Sequence, residues 1–164
     1  MAAKRRSTEA GHRRKFLAII DDTPECARAV RFAARRAEHT GGGLVLLYVI
    51  VPPDPQSWAG VESLMRAEAM EAAEASLGKY ADMVRSWSSI EPEPVIREGG
   101  RSEEILKLIE ADEDIAILVL AAGTDNEGPG PLVSALAGKA SGTFPVPITI
   151  VPGNLDDEAL AAIS

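Results

Sequence analysis

The sequence predicts an α/β doubly wound domain, a three-layer sandwich in which one parallel sheet carries helices on both faces. Three observations predict it. Five short apolar runs alternate with four helical patterns along the chain. The central runs are apolar at successive rather than alternate positions, as strands covered on both faces must be. Glycine and proline clusters separate the two kinds of segment, and 164 residues is the length of one domain.

The first run, Phe16-Leu17-Ala18-Ile19-Ile20, is followed at once by Asp21-Asp22-Thr23-Pro24-Glu25. Thr23 is the expected N-cap, Pro24 fits the first helical position, and Glu25 suits the positive helix end. Cys26, Ala29, Val30, Ala33 and Ala37 recur at helical spacing until His39-Thr40-Gly41-Gly42-Gly43 breaks the pattern. Leu44 to Ile50 is the second strand, ended by Pro52, Pro53 and Pro55. A long helix is expected from about Trp58 to Trp87. Its apolar stripe is Val61, Met65, Ala69, Ala73, Leu77, Tyr80, Val84 and Trp87.

Pro94 to Glu98 is the third strand. Gly99-Gly100 turns the chain, and Ser102 is the expected cap of a helix that faces inward through Ile105, Leu108 and Ile109. Ile115 to Leu120 is the fourth strand. The loop from Gly123 to Pro131 leads to a helix near Leu132–Ser141, and Val146 to Val151 is the fifth strand.

Apolar residues make up 46% and charged residues 26%, which excludes disorder and collagen for most of the chain. No apolar run approaches the roughly 18–20 residues of a membrane span. The N-terminus lacks the apolar stretch of a secretory signal. The single cysteine, Cys26, cannot form an internal disulfide, so a cytoplasmic protein is expected. Charge is uneven: residues 1–15 carry a balance of +5 and the remainder −13. Residues 1–14 are therefore expected to be a basic flexible arm, 15–153 the domain, and 154–164 an acidic tail. Such a body repels nucleic acid, which is expected to bind only weakly and through the arm.

Catalytic groups are few. His12 lies in the arm and His39 at a helix end away from the strand carboxyl ends, so no Ser-His-Asp set and no Cys/His zinc cluster can form in the body. Cys26 opens a helix, where the dipole lowers a thiol pKa, yet it also falls on the inner stripe as plain core. Ligands of doubly wound folds bind beyond the strand carboxyl ends. The positions to read are Asp21-Asp22, Val49 onward, Gly99-Gly100 and the loop from Ala121 to Pro131. Gly123, Gly128 and Gly130 permit close backbone approach, and N–H groups ahead of a helix suit phosphate. Against that, no Lys or Arg occurs from Leu108 to Gly138, and the loop carries Asp125 and Glu127. A surface turn and a phosphate loop both fit these residues.

Taken in order, Ile20-Asp21 with Ala29-Val30, Leu46-Leu47-Tyr48-Val49-Ile50, Gly99 with Ser102-Glu103-Glu104-Ile105, Ile117-Leu118-Val119-Leu120 and Pro145-Val146-Pro147-Ile148 form a pattern. Over about residues 15–153 it resembles the universal stress protein family. The resemblance implies strand order 3-2-1-4-5, a homodimer and, in one branch, ATP at the switch point. It sets Asp21 against the nucleoside and the Val49 backbone against adenine. The family's glycine motif for phosphate, counted back from Pro145-Val146-Pro147, falls on Ala121, Thr124, Ser134 and Ala135. A second register uses Gly128 and Gly138. A rearranged site uses Gly123, Gly128, Gly130 and Ser134.

The expected function is a regulatory dimer that binds an adenine nucleotide, ATP or AMP, or a related anion with little or no turnover. One alternative is an interaction module of the same fold that meets a protein partner without nucleotide. Another is a slow ATPase with magnesium held by Asp21. In the implied order the fifth strand is an edge without protecting charges, so a homodimer through residues 146–152 is expected.

Overall fold

The computed structural model describes residues 4–53 and 63–164. Five strands form one parallel sheet in the order β3-β2-β1-β4-β5, as the resemblance implies. They are β1 (Lys15–Ile20), β2 (Gly43–Ile50), β3 (Glu93–Glu98), β4 (Ile115–Ala122) and β5 (Ile148–Pro152). The helices are α1 (Cys26–Thr40), α2 (Ser63–Trp87), α3 (Arg101–Ala111), α4 (Pro131–Ala137) and α5 (Asp157–Ile163).

Central β1 shows why every position is apolar. Its side chains alternate between faces, so Phe16, Ala18 and Ile20 enter one core with α1, α2 and α5, while Leu17 and Ile19 enter the other with α3 and α4. Burying each of these large side chains contributes roughly 1.5–3 kcal/mol. Ala33, Ala34 and Ala37 of α1 are fully buried, and their small side chains let α1 lie close on the sheet.

Several boundaries differ from expectation, each for a local reason. The regular turns of α1 begin at Cys26 because the Thr23 N–H and hydroxyl both donate to Asp21 Oδ1, at 3.0 and 2.5 Å. Thr23 therefore closes a turn on β1 and caps no helix. At the far end, Gly41 takes φ 67°, which a glycine adopts without steric cost. Ser102 is likewise inside its helix: α3 starts at Arg101, with Gly100 as the cap position. β4 runs two residues past Leu120 because Ala121 and Ala122 pair with Val151 and Pro152. β5 begins at Ile148, since Pro147 has no N–H for the ladder and contributes only a carbonyl, accepting from Leu118 N at 3.0 Å. The chain after α4 tightens into a 3-10 turn at Lys139–Thr143 rather than continuing the α-helix. Met65, assigned to the buried stripe of α2, is 46% exposed. The expected helix start at Trp58, together with Val61 and Pro55, lies outside the described residues.

The two chain ends also acquire structure. Residues 156–163 are no loose acidic tail but a capped helix: Asp156 accepts from Ala159 N at 2.8 Å, and Leu160 is fully buried against α1. Arg28 and Arg31 reach Asp157 at 2.7 and 3.3 Å. Arg35 Nε donates to the Ser164 hydroxyl, and His39 Nδ1 lies 2.7 Å from the Ser164 carbonyl. These four basic residues are spaced by three and four along one face of α1. At the other end, the expected flexible arm lies against the loop between α3 and β4. Arg5 Nη1 donates to the carbonyls of Ile109, Asp112 and Ile115 at 2.7, 3.0 and 3.1 Å. Arg6 N donates to Glu113 O, and His12 Nδ1 lies 2.7 Å from Asp114 Oδ1. Among the described residues, no helix is long and apolar enough to cross a membrane.

Candidate functional site

A cleft of about 290 Å³ opens where β1 and β4 end, with the chain leaving toward α1 on one side and α4 on the other. This is the switch point of the sheet, since α1 leads to β2 on one flank and α4 to β5 on the other. Asp21, Asp22, Thr23 and Glu25 come from the β1–α1 turn, Ala121 from β4, and Gly130 and Pro131 from the start of α4. Arg101 reaches it from the start of α3.

The β1–α1 turn presents Asp21 with one carboxylate oxygen committed. Oδ1 accepts both hydrogen bonds from Thr23, which fixes the carboxylate, and among the described residues Oδ2 has no protein partner. Asp22 is exposed beside it. Glu25 leans toward the glycine loop, so that a Cβ at Gly123 would meet its Oε1 at 3.1 Å. Arg101 joins this acidic set from another part of the chain. No hydrogen bond or ion pair links its guanidinium to a described residue, and it shares the field around Tyr48 with both aspartates. Burial, Asp22 and Asp21 hold that phenol above its ordinary pKa, and Arg101 opposes them.

The glycine loop is closed on itself. Gly123 N donates to Pro129 O at 3.0 Å, Gly128 N to Asp125 O at 3.2 Å, and Glu127 N to Asp125 Oδ1 at 2.9 Å. Ser134 N donates to Gly130 O, the ordinary helical bond. Gly128 and Gly130 take φ of 96° and 107°, conformations that side chains other than glycine's rarely tolerate. The glycines here shape a turn that uses three of its seven N–H groups internally, those of Gly123, Glu127 and Gly128.

Of the residues expected at a nucleotide site, the cleft brings together Asp21 and Gly130. Val49 is buried at 4% exposure in the core beneath α3, and Gly123, Gly128 and Ser134 stand outside the lining. Arg101 and Glu25 were not among the expected residues. Gly99-Gly100 was marked as a strand end, so Arg101 was one residue from the signal that would have found it. Cys26 is core: its thiol donates to the Ile19 carbonyl at 3.5 Å, and burial pushes it up to about 11 rather than down. Among the described residues, no group of three or more His, Cys, Asp or Glu is arranged to hold a metal ion. The cleft sets three carboxylates, Asp21, Asp22 and Glu25, around one guanidinium, Arg101.

Residues 12–152 match the family model described as "Universal stress protein family". The fold is similar to that of universal stress protein UspA from Lactobacillus plantarum, with a TM-score of 0.67 at 20% identity over 84% of this chain and 97% of that one. A universal stress protein from Archaeoglobus fulgidus in complex with dAMP superposes with a TM-score of 0.56 at 16% identity, covering 84% and 97%. A further universal stress protein in complex with cAMP gives 0.59 at 14% identity, covering 86% and 98%. No curated protein matches the sequence. With the family match spanning residues 12–152 and these folds sharing its architecture, the chain belongs to the universal stress protein family.

Proposed function

We propose that this protein is a regulatory homodimer that binds an adenine nucleotide in the β1–β4 cleft with little or no turnover. The observation that carries this reading is the presence, in one switch-point cleft, of an anchored Asp21 carboxylate and an Arg101 that makes no ion pair among the described residues. A carboxylate oxygen without a partner suits a sugar hydroxyl, and a guanidinium suits a phosphate. Proteins of similar fold crystallised with dAMP and cAMP support the choice of ligand class.

Calorimetric titration with AMP and with ATP plus magnesium tests the reading. Heat that Asp21→Ala diminishes is expected. No heat at millimolar nucleotide would transfer the proposal to a protein-interaction module of the same fold, a reading to which the glycine loop's internal hydrogen bonds lend support. Release of inorganic phosphate from ATP above background, lost in Asp21→Ala, would instead favour a slow ATPase with magnesium at Asp21.

The homodimer rests on β5. It is an edge strand, its Ile150 is 39% exposed, and no charge interrupts residues 146–152. Pairing two copies about a two-fold axis removes both edges. Light scattering is expected to give twice 17.3 kDa at tens of micromolar, and Ile150→Lys to shift the population toward monomer.

A further inference from the structure

We infer that Arg101 is the phosphate-binding residue of the cleft and that the site therefore selects a nucleoside monophosphate over a triphosphate. This rests on the nucleotide reading above and names its ligand more narrowly.

Three observations converge on it. The first is donor supply. The loop from Gly123 to Gly130 spends the N–H groups of Gly123, Glu127 and Gly128, three of its seven, within itself, so fewer remain for a phosphate chain. The second is charge. Asp125 and Glu127 lie on that loop and Glu25 leans against Gly123, so phosphates extended along it would run past carboxylates. Arg101, from the start of α3, is the one basic side chain among the described lining residues. The third is size. About 290 Å³ lies at the lower limit of the roughly 300–1,000 Å³ of small-molecule sites, room for a nucleoside with a single phosphate rather than three.

The local structure explains how Arg101 comes to be there. β3 ends at Glu98, and Gly99 turns the chain at φ 145°, a conformation open to glycine, while its N–H donates to Ile50 O at 3.0 Å. That bond holds the turn to the end of β2. α3 then begins at once, with Arg101 as its first residue. The guanidinium is planar, always charged and forked, which matches one phosphate group in a bidentate way.

The test is a set of titrations of the full chain with adenosine, AMP and ATP, without added metal, on the wild type and on Arg101→Gln. AMP is expected to bind wild type roughly ten- to a hundredfold more tightly than adenosine, the effect of one charge-assisted contact. ATP is expected to bind more weakly than AMP. Arg101→Gln should bring AMP to the affinity of adenosine and leave adenosine unchanged, with an unaltered circular dichroism spectrum. ATP binding as tightly as AMP, or AMP binding unaffected by Arg101→Gln while adenosine still binds, overturns the inference and leaves the nucleotide reading standing. Failure of all three ligands to bind the wild type overturns both.

Discussion

The two ends of the sheet carry the same kinds of charge and use them in opposite ways. At the amino end, Lys15 meets Asp112 at 2.8 Å, His12 meets Asp114, and Arg6 meets Glu9 and Glu113. Arg5 satisfies three carbonyls at once where α3 ends and β4 begins. At the carboxyl end, Asp21 is held only by its neighbour Thr23, and neither Asp22 nor Arg101 has an ion partner within the described residues. The amino end even contains a larger hollow, about 450 Å³ against about 290 Å³. Volume alone would choose neither end, since a hollow of about 480 Å³ between α2 and β3 is larger than both. What distinguishes the cleft is charge without an ion partner among the described residues, because a paired group has little left to offer a ligand.

If that contrast is sound, substitutions at the amino end should cost stability and those at the carboxyl end should not. The largest effect is expected for Arg5→Ala, which leaves three carbonyls to find water: about 2 kcal/mol, or a fall in Tm of roughly 4–8 °C by calorimetry. Lys15→Met comes next, at about 1 kcal/mol, because it strips Asp112 of its partner. That loss should depend on pH. Burial lowers the Lys15 pKa, but Asp112 and Glu93 together raise it above the ordinary 10.5, so its contribution is complete below about 10.5. It is lost as pH rises through the higher native value, so urea melts of Lys15→Met and wild type should converge in strong alkali. Arg101→Gln and Asp22→Asn should each stay within about 0.5 kcal/mol of wild type in the same melts. A larger loss for either would show that the cleft charges serve the fold. The smallest effect belongs to the exposed pairs of the arm: raising salt should speed amide exchange at Arg6 N–H while leaving Tm unmoved.

The fold was legible because strand burial writes itself as consecutive apolar residues, as in Leu17 to Ile20 and Leu44 to Leu47, all buried here. Asp21 was legible for a related reason, since it directly ends such a run. Arg101 was not, because its approach to Asp21 depends on the order of strands across the sheet, and nothing local marks it. The arm's contacts escape a hydrophobic criterion: Arg5 donates to backbone carbonyls, and carbonyls leave no trace in a sequence pattern. The last helix was misread for lack of apolar residues, yet Leu160 alone is fully buried and four basic side chains of α1 do the rest. The glycine loop shows a different ambiguity. Gly123, Gly128 and Gly130 are what a phosphate loop needs, and a tight turn needs the same residues.

The central place of β1 has a consequence in time. Leu17 pairs with Val45 on one side and with Leu118 on the other, a partner about 100 residues further along. A ribosome adding about 5–20 residues per second takes roughly 5–20 s to cover that distance. For the first part of that interval the strand has no neighbour, and from the completion of β2 until β4 it has one neighbour and one bare edge, with no finished core on either face. The nascent chain thus passes through a stage with an open hydrophobic edge, and slowing translation between residues 50 and 115 should lengthen its exposure to chaperones.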